Sequence, residues 1–583
     1  MDQSTDVVNL ISSLLDSGKY KEALGIPNDE KYLNSFKDNC WDLISVIIGK
    51  IQDETVIIKP SLQGACEELL SIIVQKCVPE EALLEFIEQI ELAKNDAQFS
   101  VVLTPLQDLL KKLTIKRGRS LEWCLNSIST YIEAIPTPEY QLEGKERLLL
   151  DSDTNYRRII RVYSLLPPFY SPFIKELSVE GANVRTKEII SAFLVSLFGK
   201  PLIYIDLDPE HSSKSEGRHC ISRVLFDLCA LVKNIFKFFP YVQLCYRESK
   251  KIKKNNESSD TDEEKSPYEN REKINLTTLS GLFYVALSGH FDVPDNAIPY
   301  VYSLEYKRRT LLICVVHLLG FTEYGPLSKA LALCKVLLNS VPNKYSVLPT
   351  ISQYDLCKSL MNVAIYSNYE FIRKTAVNLI SCHINKFEYM GRCMLILYIM
   401  KNANHSGMIG YAITLYKNSI DEAFKDTEMP SCFCGEQLQL MVTKICHLPH
   451  GAESDLVELA DQIITALNFL RYLILRDKQN VTGIIDCLDI IESEYLDKLR
   501  IGLNMSKAHY EVKLKDIEES KTLPEEEMDV TINVGGNVLD KIPTKNKKEI
   551  INSALNAFHL MQGLVAQLSE AISISKKRFK DNS

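Results

Sequence analysis

Apolar residues recur at three- and four-residue steps along almost the whole chain, and this regularity excludes most folds before anything else is considered. Leu69, Ile72 and Ile73, then Leu83, Leu84, Ile87 and Ile90, line successive helical faces, with Pro79 at the join. The same spacing runs through 101–113, 121–135, 156–166, 189–197, 224–239, 311–319, 327–338, 376–384 and 394–400. Pro136, Pro138, Pro167, Pro168, Pro240, Pro342 and Pro349 read as its stops, because proline lacks the N–H that a helix interior needs. Many amphipathic helices of roughly 12 to 20 residues, with short turns and no convincing strand alternation, predict an all-α protein, an irregular HEAT/armadillo-like α-solenoid. No strict sequence period is present, so the repeats are degenerate.

Two stretches break the pattern. Residues 249–273, SKKIKKNNESSDTDEEKSPYENREK, join a basic run to an acidic one with almost nothing to bury, which predicts a disordered charged loop. Ser258, Ser259 and Thr261 there are candidate phosphorylation sites, beside the plainer reading of a solvated insertion. Near 529–543, Val530, Ile532 and Val534 alternate before Gly535-Gly536-Asn537, which predicts a short β-hairpin. The expected organisation is 1–248, N-terminal helical repeats; 249–273, the loop; 274–400, middle helical repeats; and 401–583, C-terminal helical repeats.

Charge and composition narrow the function. The 67 basic and 76 acidic residues leave a net charge of -9, which provides no general footprint for nucleic acid. The start, Met1-Asp2-Gln3-Ser4, is unlike a secretory signal, and no run approaches the roughly 18 apolar residues of a membrane span, so a cytoplasmic protein is expected, with no membrane partner. Sixteen cysteines lie scattered on apolar helical stretches, as at Cys66, Cys77, Cys124, Cys229, Cys314, Cys334, Cys357 and Cys446, and read as small core residues. Asn275, Asn404, Asn480 and Asn504 begin N-x-S/T sequons that carry no meaning without secretion.

Signatures of catalysis are missing. There is no phosphate-cradling G-x-x-x-x-G-K-[ST], no H-E-x-x-H, no G-x-S-x-G and no G-x-G-x-x-G, so no enzyme and no cofactor are expected. The segment Leu202 to Asp208 resembles one buried strand, but a parallel-sheet enzyme needs several, and a connecting segment is the simpler reading. Cys432, Cys434, Cys446, His447 and His450 gather sulfur and imidazole, yet C-x-C is the wrong pairing for a zinc module and no metal is expected.

The C-terminal third carries specific motifs. Asn404-His405-Ser406-Gly407, LPHGAESDLV from Leu448, ALNFLRYLILRD from Ala466 and above all IGLNMSKAHYE from Ile501 resemble the glomulin family in wording and order. A fainter likeness continues upstream through Pro105-Leu106-Gln107, while His450 and Val457 are mild departures and the first 60 or so residues and the loop show little. The resemblance implies a helical-repeat protein whose C-terminal region, 401–583, binds the RING subunit of cullin-RING ubiquitin ligases, and through it the cullin, masking the surface used by the ubiquitin-conjugating enzyme.

The residues themselves suggest where such a surface would lie. Leu456, Leu459, Ile463, Ala466, Leu470 and Leu473 form one stripe, which puts Asn468, Tyr472 and Arg476 on the opposite side. On the next helix Ile501, Met505, Ala508 and Val512 are expected to form the core stripe, with Leu503, Lys507, Tyr510 and Leu514 as a second face toward another repeat or a partner. Tyr472, Arg476, Asn504, Lys507, His509 and Tyr510 are the candidate partner-binding residues, tyrosine and arginine being favoured interface anchors. A general α-solenoid adaptor that holds peptide segments is the competing reading, and an enzyme on an unrecognised fold is the third.

Overall fold

The computed structural model describes residues 4–113, 117–138, 149–179, 181–208, 216–254, 274–340, 344–345, 348–520, 533–534, 537–538 and 544–582. Helix follows helix through most of them, as the periodicity requires. The chain forms two compact units, Met1–Leu337 and Leu338–Ser583, a division that falls inside the segment 274–400 set out above. Within each unit a helix packs on its successor and on the next but one, the arrangement of an α-solenoid.

In the first unit, helices Pro60–Lys76, Pro79–Leu92, Asp96–Lys112 and Arg117–Glu133 stack through faces that bury Leu69, Ile73, Leu83, Phe86, Phe99, Leu106, Leu121 and Ile128. Side-chain caps start several helices: Asn95 accepts from the Gln98 N–H, Asp153 from Tyr156 and Asn275 from Thr278. The sequon residue Asn275 is therefore a helix cap. Asp96 sits buried under Arg158 at 2.8 Å, the Tyr131 hydroxyl at 2.7 Å and Arg161, which satisfy its oxygens in place of water.

Some prolines expected to stop a helix do not. Pro167 and Pro168, with Pro172, lie inside the helix Thr154–Leu177. An interior proline costs about 3 kcal/mol, but the helix buries Tyr163, Leu166, Phe169, Tyr170 and Phe173, each contributing about 1.5–3 kcal/mol. The Gln107 amide repairs part of the broken ladder, donating to the Pro168 carbonyl at 2.8 Å, which Pro172 cannot reach with an N–H, and to that of Phe169 at 2.6 Å. Pro240 likewise opens a helix, Phe239–Lys254, and does not close one. That helix takes in the first six residues of the stretch 249–273; the remainder, with Ser258, Ser259 and Thr261, lies outside the described residues.

The segment from Leu202 is a 3-10 turn, Leu202–Tyr204, and a connecting stretch, not a strand. Its carbonyls are held by the fully enclosed Lys329, whose Nζ donates to Ile203 at 2.8 Å and to Ile205.

In the second unit, helices Ile351–Tyr366, Glu370–Asn385, Tyr389–Asn402, Ser406–Ala423 and Ala460–Arg476 stack in order. Arg392 is buried on the way, donating to the Phe387 carbonyl at 2.8 Å and to Glu422 at 2.7 Å. The long helices Asp497–Ser520 and Thr544–Asn582 then pack on each other, and the latter also on Ala460–Arg476. Between them, in the place marked by the alternation, Asn533–Val534 pairs antiparallel with Asn537–Val538. The rest of 529–543 lies outside the described residues. The sixteen cysteines are free thiols, and of the eight named above all but Cys446 are buried. No described helix is long and apolar enough to cross a membrane.

Candidate interaction surface

Helix Asp497–Ser520 presents two apolar faces, and the structure buries the one expected to be secondary. Leu499 and Leu503 are enclosed, Tyr510 and Leu514 are half-buried, and Ile517 closes the row. The Tyr510 ring meets Phe558 of the C-terminal helix edge to face at 5.4 Å. Gly502 belongs to the same side: a Cβ there would stand 2.7 Å from the Ala452 carbonyl oxygen, so glycine lets the helix settle on the 3-10 turn Gly451–Glu453.

The expected core stripe is exposed. Ile501, Met505 and Val512 are 54%, 55% and 58% accessible, and Ala508 between them is also exposed. The reversal has a simple cause. Both faces repeat at three- and four-residue steps, so helical period alone does not rank them; the glycine and the aromatic ring on the other face select which one packs. Upstream, Leu456, Ile463, Ala466, Leu470 and Leu473 are buried and Leu459 is half-buried; of the residues expected on the opposite side, Asn468 and Arg476 are exposed and Tyr472 is half-buried.

The six candidate residues fall into two groups. Tyr472 donates its hydroxyl to Asp421 at 2.5 Å under the Lys417 ammonium, 4.9 Å from the ring, and Arg476 lies 5.5 Å over Phe424. Burial, and then the hydrogen bond to Asp421, push the Tyr472 hydroxyl up to about 12, while that same bond holds Asp421 below its usual range. On the second helix, Asn504 is exposed and accepts from the Gln562 amide at 3.5 Å, and Lys507 reaches Glu511 at 4.0 Å. His509 is exposed and touches the edge of Tyr510, with ring centroids 5.8 Å apart. Tyr510 faces the C-terminal helix. Exposed apolar side chains, Ile501, Met505 and Val512, are what the sequence reading missed at this surface; the signal was their own periodicity, assigned to the wrong side.

The sulfur and imidazole group does not converge. Cys432 is buried in the 3-10 turn Ser431–Phe433, Cys434 donates to the Pro430 carbonyl at 3.5 Å, and Cys446 follows the helix Gly435–Ile445. Among the described residues no cluster of histidine, cysteine and carboxylate is placed to hold a metal.

Comparison with known proteins agrees with the motifs. The family model described as "Uncharacterised protein family, YAP/Alf4/glomulin" matches residues 321–552. The chain is 26% identical to mouse glomulin over 581 residues, covering 97% of this chain and 92% of the mouse protein, and 26% identical to human glomulin over 580 residues, with the same shares. The similarity to the glomulins carried by the C-terminal motifs thus extends along nearly the whole chain.

Proposed function

We propose that the chain is a non-catalytic inhibitor of cullin-RING ubiquitin ligases, binding their RING subunit through its C-terminal helices and blocking the ubiquitin-conjugating enzyme. The observation that supports this reading is the exposed row Ile501, Met505, Ala508 and Val512, of which the first three lie within the motif most like the glomulins and Val512 directly follows it. Apolar side chains aligned over three helical turns and left in water are the material of an interface core, and the polar residues beside them, Asn504, Lys507 and His509, supply a rim. Tyr472 and Arg476, on the helix Ala460–Arg476, are the remaining candidate contacts.

The mechanism is steric. An interface of about 800 Å² per partner is the usual size for stable recognition, and covering the RING face excludes the conjugating enzyme without any bond being made or broken. Affinity comes from a few desolvated anchors, while rim charges set the association rate. The test is calorimetric titration of the full chain with the isolated RING subunit, alongside a ubiquitin-chain assay with increasing conjugating enzyme. Binding that Ile501→Asp and Val512→Asp abolish, and inhibition relieved by excess conjugating enzyme, are expected. A wild-type chain that does not bind the RING subunit overturns the reading.

A further inference from the structure

Two thiols that are distant in sequence meet inside the second unit. Cys393 lies on the helix Tyr389–Asn402 and Cys432 in the 3-10 turn Ser431–Phe433, and these two elements pack on each other. Tyr389, one helical turn before Cys393, meets the ring of Phe433, the neighbour of Cys432, with centroids 5.5 Å apart, which sets the register between helix and turn. In that register the Cys393 S–H donates to the Cys432 sulfur, and both are free thiols.

Three features distinguish this pair from cysteines that only fill a core. The shared hydrogen bond holds the Cys432 thiol below its ordinary value against the effect of burial, and raises that of Cys393, so one sulfur is prepared as a nucleophile and the other as its proton donor. The surroundings are polar enough for charge to develop: the Tyr416 hydroxyl, buried without a hydrogen-bond partner, stacks through its ring on Phe433 at 5.5 Å and lies within range of the charges of both sulfurs. Access is the third. Cys393 and Cys432 keep 8% and 6% of their surface, whereas Cys66, Cys124 and Cys314 are completely enclosed. A second touching pair, Cys40 and Cys77 in the first unit, faces Glu81 and Glu85, whose charges oppose a thiolate.

We propose that Cys393 and Cys432 are a peroxide-responsive modification site, forming a reversible disulfide that fastens the turn Ser431–Phe433 to the helix Tyr389–Asn402. The Cys432 sulfur attacks one oxygen of hydrogen peroxide; an S–O bond forms, the O–O bond breaks, and water leaves with the thiol proton, giving a sulfenic acid. The Cys393 sulfur then displaces that hydroxyl, which departs as a second water with the Cys393 proton. The two thiols lose two electrons and the peroxide gains them. The sulfurs need only close to about 2 Å, and Cys432 sits on a three-residue turn with no long helix to bend. The inference does not depend on the RING-binding reading.

The full chain is titrated with hydrogen peroxide, unreacted thiols are alkylated, and peptides are mapped by mass spectrometry without reduction. A peptide linked through Cys393 and Cys432 is expected, at peroxide levels below those that carry the exposed Cys382 to the sulfinic acid, and dithiothreitol should remove it. The unfolding midpoint of the oxidised chain should rise by a few degrees, because the bridge restricts the unfolded chain, and fall back on reduction. Cys393→Ala should leave a sulfenic acid on Cys432 that dimedone traps, an intermediate that a merely structural pair would not yield, while Cys434→Ser should leave the bridge intact. Failure of the wild-type chain to form the linked peptide before Cys382 is overoxidised, or a midpoint that does not rise with the bridge in place, overturns the proposal.

Discussion

Tyr510 and Phe558 meet edge to face with ring centroids 5.4 Å apart, joining the helix Asp497–Ser520 to the C-terminal helix Thr544–Asn582. Phe558 is completely enclosed. Phe558→Ala should cost about 3–5 kcal/mol in urea unfolding, whereas Tyr510→Phe, which keeps the ring, should change stability by less than about 1 kcal/mol. Gly502→Ala should also destabilise, because its Cβ meets backbone, which has no rotamer to yield with.

The two faces of the same helix should separate by mutation. Ile501→Asp, Met505→Asp and Val512→Asp alter exposed positions and are expected to stay within about 0.5 kcal/mol of wild-type stability while reducing affinity for the RING subunit at least about tenfold. Leu503→Ala, on the buried face, should instead cost about 2–5 kcal/mol. Paired unfolding and titration data on the four variants test this division.

Glu422 accepts from the buried guanidinium of Arg392 at 2.7 Å and from Lys344 at 2.8 Å. The Arg392 hydrogen bond, opposed by desolvation, brings its carboxyl down to about 2 from an ordinary 4.5. Because the folded value is the lower one, the contribution is complete above pH 4.5 and disappears as pH falls toward 2. Glu422→Gln should lower stability at pH 7 by about 1 kcal/mol, since it leaves the Arg392 charge buried with a weaker partner while solvent screens the half-exposed carboxylate, and the difference from wild type should shrink below pH 3.

His383 is 2% exposed and packs as a neutral ring, with Nε2 3.3 Å from the Gln353 carbonyl oxygen. Burial lowers it to about 4 from 6.5. Between those values the unfolded chain binds the proton and the folded chain does not, so stability falls as pH drops from 6.5 to 4. His383→Leu should flatten that part of the stability profile in denaturant titrations at stepped pH.

Much of this was readable along the chain. The three- and four-residue spacing predicts helices because a helix returns to the same face at those steps, and the buried rows at Leu69, Ile73, Leu83 and Ile90 follow it. The glomulin-like motifs rest on residue identity and order, which need no coordinates. Prolines were less informative: Pro167 and Pro168 forbid their own N–H bonds, but they do not say whether burial of Tyr163, Phe169 and Phe173 outweighs the loss.

What the sequence alone determined, therefore, is the class of structure, the location of the family motif and the two candidate faces of the helix Asp497–Ser520. What only the tertiary structure decided is which face is free. Ile501, Met505 and Val512 are as apolar as the residues that pack, and they stay in water because Gly502 and Tyr510 fit Ala452 and Phe558 on the other side. Period is a property of one helix, whereas burial depends on the surfaces its neighbours present.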